Sequence, residues 1–133
     1  MNITLLDGVG AGIILALFGL GILFILVAVF IEGVVMMKMK YHNVFKRALT
    51  HSLVANLVSL ALGLILINSD SDFYNMEYFS GFVSLFAVTL VAEFGVLYLM
   101  NKKESLLRTL TVCVVMNLVT YLLAFLVLRF VDF

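Results

Sequence analysis

Glu32 lies in VAVFIEGVVMM, residues 27–37, and Glu93 in VTLVAEFGVLY, residues 88–98, each surrounded by apolar side chains. A carboxylic acid in such a setting can do three kinds of work. It can hydrogen-bond a neighbouring helix, take up and release a proton or a cation, or recognise a polar group on a partner or ligand. Each glutamate is followed by an asparagine at the same separation, Asn56 after Glu32 and Asn117 after Glu93. An asparagine amide can hydrogen-bond a carboxyl group, and burying a polar group with a partner costs far less than burying it alone.

The spacing suggests how the four residues meet. Glu32 and Asn56 are equidistant from position 44, and Glu93 and Asn117 from position 105. In an antiparallel hairpin, residues equidistant from the turn share one depth, so each glutamate faces the asparagine of its own hairpin. At 1.5 Å per helical residue the pairs sit about 15 Å from their turns. Ser52, Asn56, Ser59 and Gly63 fall on one helical face, as do Cys113, Asn117, Thr120 and Ala124. Both stripes are small and weakly polar, the type that lets membrane helices approach and bond. Gly10, Gly21, Ala28 and Glu32 share a side of the first span. The matching face of the third, with Phe82, Phe86, Thr89 and Glu93, is bulkier. On that ground Glu32 is the expected more sensitive site, with room beside it for water or an ion.

The elements that must position these residues follow from composition. The chain has 133 residues, 65% of them hydrophobic and 12% charged, with a mean hydropathy of +1.23. It could not cover itself with polar surface in water, so lipid is its solvent. A helix needs about 20 apolar residues to cross the hydrocarbon. Four segments qualify, at residues 9–37, 49–67, 79–100 and 106–128, and the chain has no proline to interrupt them. Their apolar runs are continuous, unlike the alternating pattern of a membrane barrel. The first is not read as a signal peptide: only Asp7 is charged before Glu32, and the run is too long for such a leader. It is also long for a span, and the glycines of DGVGAG mark a bend or a frayed start. Gly8 and Gly12 fit a G-x-x-x-G pattern, which glycine-rich spans produce by chance.

Shifting the chain by 61 positions superposes its halves without a gap. Glu32 falls on Glu93, Met39 on Met100, Arg47 on Arg108, Thr50 on Thr111, and NLVS at 56–59 on NLVT at 117–120. Matches of Glu, Arg and Asn in a valine- and leucine-rich chain carry the weight. The expected fold is therefore an all-α membrane protein of four transmembrane helices. It forms one transmembrane domain, residues 1–133, built from two tandem two-helix hairpin repeats in parallel orientation, about 9–67 and 79–128. A pseudo-two-fold axis would run along the membrane normal. Lys38, Lys40, Lys46 and Arg47 cluster in one connection and Lys102, Lys103 and Arg108 in another, whereas Asp70, Asp72 and Glu77 occupy the middle loop. The positive-inside rule puts the basic connections, 38–47 and 101–108, in the cytoplasm and both termini outside. The bacterial inner membrane is the expected location.

Other residues offer less chemistry. His42 and His51 are nine positions apart, which is no metal-ligand spacing on one helical face, and His51 falls on Val112 in the repeat. It reads as an interfacial residue. Cys113 is the single cysteine, excludes an intramolecular disulfide and falls on Ser52. No metal site, cofactor site, nucleophile–base pair or phosphate loop is evident, and the expectation is no enzyme and no nucleic-acid partner. The partners expected are the lipid bilayer and either other membrane subunits or further copies of the chain. Two functions fit. One is an accessory or scaffold subunit of a larger membrane complex, the first expectation because almost no mass lies outside the membrane. The other is a small homo-oligomeric transporter or channel using Glu32 and Glu93 as proton or cation sites.

Overall fold

A computed structural model of the chain describes the backbone of residues 3–69 and 78–130 and the side chains of residues 19–66 and 83–126. It contains four helices: α1 (Ile3–Lys38), α2 (Phe45–Ser69), α3 (Tyr78–Met100) and α4 (Leu106–Phe130). All four are long and apolar enough to cross a membrane. Helix is the form these segments must take in lipid, because it satisfies every backbone N–H and C=O within the segment. With 36 residues, α1 extends about 54 Å, well beyond the roughly 30 Å of hydrocarbon. It begins at Ile3, so DGVGAG lies inside the helix and not at its start. The side-chain contacts of Gly8, Gly10 and Gly12 fall outside the described residues. So do the acidic loop, with Asp70, Asp72 and Glu77, and the side chain of Phe82. Helix α2 starts earlier than the hydropathy suggests, taking Lys46 and Arg47 into its first turn.

The helices form a four-membered ring in which α1 and α3 each pack against both α2 and α4. Polarity is inverted relative to a protein in water. Val91 and Leu107 are each 72% exposed, while Glu32, Glu93, Ser52, Thr109 and Asn117 are buried. Lipid accepts the leucines and valines, and the bundle interior supplies partners for the polar groups. On the turn side of the carboxylates the interior is closed by Met36, Tyr41, Ala48, Ala55, Leu97, Val112, Cys113 and Met116. Among the described glycines, Gly33 marks a close approach: a Cβ there would lie 2.8 Å from Cδ2 of Leu49. Gly21, grouped with Glu32 by periodicity, has open space where a Cβ would be, so it does not set a helix contact.

The two short turns differ. The first ends α1 with a doubled bond. Tyr41 N–H donates to the Met36 carbonyl at 2.9 Å and Lys40 N–H to Met37 at 3.0 Å. This is the Schellman arrangement, and it puts Lys40 in the left-handed region with φ 55°. Glycine is the usual residue there, because a Cβ in that conformation costs about 1–2 kcal/mol. The second turn runs from Asn101 into Ser105, whose hydroxyl accepts the Arg108 N–H at 3.3 Å and caps α4. The turns also touch each other. Arg108 Nη2 donates to the Lys40 carbonyl at 2.6 Å, and the Tyr41 hydroxyl lies 3.2 Å from Thr109 Oγ1 and donates to the Leu97 carbonyl at 3.4 Å.

Candidate functional site: two carboxylates on one cavity

Ring order places α1 and α3 on a diagonal, so Glu32 and Glu93 enter the interior from opposite sides. Both are at most 1% exposed. Asn56 Nδ2 donates to Glu32 Oε2 at 2.5 Å, and Asn117 Nδ2 donates to Glu93 Oε2 at 2.7 Å. Each amide nitrogen also donates to a carbonyl one turn earlier in its own helix, Ser52 or Cys113, both at 3.0 Å. Having an acceptor on each side settles which end of the amide is nitrogen.

The second oxygen of each carboxylate reaches across the ring. Thr120 Oγ1 on α4 donates to Glu32 Oε1 at 3.4 Å, and Ser59 Oγ on α2 donates to Glu93 Oε1 at 3.2 Å. Each glutamate thus ties its own hairpin through asparagine and the other hairpin through a hydroxyl. Ser52 adds a third donor to Glu32, its Oγ 2.7 Å from Oε2. Cys113 takes the corresponding place beside Glu93, and its sulfur makes long contacts, donating to the Leu90 carbonyl at 3.6 Å and accepting from Asn117 Nδ2 at 3.7 Å. The sequence pattern groups Ser52, Ser59, Cys113 and Thr120 as flanking stripes. It does not reveal that Ser59 and Thr120 serve the opposite glutamate, because a helical face says nothing about which neighbour lies across it.

Glu32, Glu93, Asn56 and Asn117 line a single cavity of about 360 Å³. It extends from the carboxylates away from the basic turns, between walls that include Phe24, Leu60, Leu64 and Leu85. Thr89 and Tyr121, bonded to each other at 3.0 Å, also line it. Phe86 does not crowd Glu93: its ring stacks edge-on against Tyr121, with centroids 5.0 Å apart, and stays out of the cavity lining. Both glutamates therefore line the same volume, and the unequal crowding expected from the two faces is absent among the described residues. Among the described residues no lysine, arginine or histidine side chain lines this volume. Two carboxylate charges here would have no counter-charge among the described lining residues, and an unbalanced charge at membrane depth costs on the order of 3 kcal/mol. A proton or a cation would balance them.

A second polar feature lies at the first turn. His42 Nε2 and His51 Nδ1 are 3.0 Å apart, their rings nearly perpendicular and both buried. Sequence spacing missed this pair because His42 is on the turn, where helical periodicity does not apply. Burial, with His51 and Arg47 adding to it, pushes the His42 imidazolium from the usual 6.5 down to about 4. Among the described residues no cluster of three or more metal-ligating side chains occurs. No family model, curated protein or solved structure matches the chain.

Proposed function

We propose that the protein is a small membrane transporter or channel in which Glu32 and Glu93 form one shared proton or cation site. The observation that carries this reading is the cavity lined by both glutamates. Fastening two hairpins requires only the glutamate–asparagine bonds. It needs neither an open volume beside them nor a second carboxylate on that volume. An accessory subunit, the other reading of the composition, needs apolar surface for lipid or partners and leaves the cavity without a role. A site that must exchange a charge requires both features, and intramembrane acids facing a cavity commonly mark such pathways.

The proposal includes a duplicated two-helix unit, its copies related by a pseudo-two-fold axis along the membrane normal. The repeated bonds support it. Asn56 and Asn117, Ser59 and Thr120, and Thr50 and Thr111 are each 61 positions apart, and the members of each pair bond equivalent partners. Two like halves around one site suit alternating exposure of that site by rocking one half on the other. On the positive-inside argument the basic turns face the cytoplasm of a bacterial inner membrane. Cysteines introduced at Asn43 and Lys103 should then be labelled from the cytoplasmic side only, and one at Ser71 from outside only. Opposite labelling of the two turns would end the parallel-repeat proposal.

The functional test is reconstitution in liposomes carrying an internal pH dye. Wild-type protein should support cation-dependent proton movement. Glu32→Gln and Glu93→Gln should assemble and melt like the parent, because glutamine still bonds asparagine, yet lose flux, because an amide neither releases a proton nor balances a cation. Full flux in both variants would reject the site. Absence of flux in the parent, with stable co-purification of other membrane subunits, would return the protein to the accessory class.

A further inference from the structure

We infer that the cation taken by this cavity is a monovalent organic ammonium ion, its N–H groups on the carboxylates and its apolar body along the cavity wall. The inference rests on the reading of Glu32 and Glu93 as a cation site and names its substrate class.

Three observations lead to it. The first is the donor and acceptor balance at the floor. The amide nitrogen of Asn117 is used on Glu93 and Cys113, but its Oδ1 accepts no hydrogen bond among the described residues. No fully buried side-chain oxygen or nitrogen there lacks a partner, so Oδ1 borders open space, although the residue as a whole is only 1% exposed. Asn56 repeats the pattern: its Nδ2 serves Glu32 and Ser52 and its Oδ1 is unused. The floor therefore presents carboxylate and amide oxygens, which are acceptors. A ligand that brings N–H donors and one positive charge, with one proton retained by the two carboxyl groups, completes both the hydrogen bonding and the charge.

The second observation is where oxygen stops. Side-chain oxygens gather at the level of the glutamates and of Thr89, whereas Phe24, Leu60, Leu64 and Leu85 offer none. A bare inorganic cation needs oxygen ligands around it, and these walls supply none away from the floor. The volume, about 360 Å³, is on the order of ten waters and lies within the range of small-molecule sites, which pair apolar walls with a few placed polar groups.

The third is a neighbouring groove. An apolar depression of about 410 Å³ runs between α1 and α4, and it shares Phe24, Ala28, Thr120 and Ala124 with the cavity. Two of these four are alanines, so the wall between cavity and groove is thin. Apolar volume thus continues from the carboxylates toward the outer face of the α1–α4 pair, which suits an ion with an apolar body.

Phenethylammonium is the probe, titrated into the purified full-length protein in detergent while released protons and bound ligand are followed. Sodium, potassium and trimethyl(phenethyl)ammonium serve as comparisons. Phenethylammonium should bind saturably and displace protons. The trimethyl analogue, which lacks N–H donors, should bind about tenfold more weakly, as expected for losing hydrogen bonds to a charged group. Glu32→Gln and Glu93→Gln should each weaken binding by about tenfold or more for the same reason. Ala124→Leu narrows the apolar volume and touches no carboxylate donor, so it should weaken phenethylammonium more than it weakens any sodium or potassium response. Equal uptake by the double glutamine variant would mean partition into detergent and would overturn the inference, as would equal binding of the trimethyl analogue. Proton release by sodium or potassium but not by phenethylammonium would overturn the substrate class and leave the proton and cation site standing. No release with any of the four cations, together with no flux in liposomes, would remove that reading and this inference together.

Discussion

The two hairpins hold the same glutamate–asparagine pair and surround it differently. Glu32 receives three side-chain donors, Ser52, Asn56 and Thr120, and Glu93 receives two, Asn117 and Ser59. The missing donor is traceable to one residue, because Cys113 stands where the first hairpin has Ser52 and a thiol is a weak donor. Their turns differ in the reverse direction. Ser105 caps α4 with its hydroxyl, whereas Val44, at the corresponding position before α2, contributes only its carbonyl to the first turn. The second hairpin is therefore the better made at its turn and the less constrained at its carboxylate. Hydrogen-bond donors favour the charged carboxylate over the neutral acid, so in a charge-exchanging site built from two unequal halves the proton is held more tightly where fewer donors reach the carboxylate. On this comparison Glu32 should release its proton first and Glu93 should hold its proton longer.

Removing an asparagine should separate the halves most strongly. Asn117→Leu leaves Glu93 with the Ser59 hydroxyl alone, and Asn56→Leu leaves Glu32 with both Ser52 and Thr120. A buried polar group that loses its partner costs about 1–3 kcal/mol, so Asn117→Leu should fall near the top of that range and Asn56→Leu near the bottom. Reversible unfolding in mixed micelles measures both. The opposite ranking would break the comparison.

Exchanging the one differing donor should narrow the gap. Cys113→Ser offers Glu93 the hydroxyl that Ser52 gives Glu32 and should stabilise the protein by about 0.5–1.5 kcal/mol. Ser52→Cys should destabilise it by a similar amount. In liposomes Cys113→Ser should also ease proton release from the site, because one more donor then favours the charged carboxylate. Shifts of the same sign in the two variants would mean that size, not hydrogen bonding, governs these positions.

What the sequence discloses and what it hides follow a physical line. Depth is legible, because equal distance from a turn fixes it, and the Glu32–Asn56 and Glu93–Asn117 bonds follow from that alone. The span count is legible from length and apolarity, since a chain without proline has little else to do in lipid. Lateral placement is not. Which helix lies across from Ser59 or Thr120 depends on the order of helices in the ring, and periodicity carries no such information. The cavity depends on rotamers, which periodicity does not give: Phe86 lies edge-on against Tyr121 and outside the lining. Small residues are ambiguous for the same reason. Gly21 carries the expected signature of a contact and makes none, while Gly33, next to the glutamate, is the one against which Leu49 packs.

The histidine pair gives the first hairpin a pH response that the second lacks, since Lys103 and Val112 occupy the corresponding positions. His42 is held neutral in the folded state, its imidazolium lowered from 6.5 to about 4. Between those values the unfolded chain binds the proton and the folded chain does not, so protonation favours unfolding. Stability contributed by this residue is present above pH 6.5, declines as pH falls below it and is fully lost near pH 4. His42→Gln should remove that decline while leaving the melting temperature at pH 8 close to the parent, and melting curves across this range measure it. An unchanged acid limb in the variant would mean that the response lies elsewhere.

The smallest effect expected is at the cap. Val44 precedes α2, and its backbone carbonyl accepts from Arg47 and Ala48 N–H at 3.0 and 3.1 Å, but a valine side chain has no acceptor for the free N–H groups of the first turn. Ser105 shows the alternative in the same molecule, with its hydroxyl on the Arg108 N–H. Val44 is 59% exposed, so its side chain packs little and can be exchanged with small loss. Val44→Ser should therefore raise stability by about 0.5–1 kcal/mol, the lower part of the range for N-terminal caps, because this helix end also borders polar surroundings that compete for the same groups. Ser105→Val should lower it by about the same amount. The pair of variants tests whether the turns differ by this one hydroxyl. If Val44→Ser is neutral while Ser105→Val is costly, the first helix end is satisfied by other means and the two turns differ in geometry as well as in cap. Neither variant should alter proton movement, since the cap and the carboxylates are separated by the apolar layer around Met36, Ala48 and Met116. A change in flux from Val44→Ser would show that this layer moves during the cycle and that the turn sets its resting position.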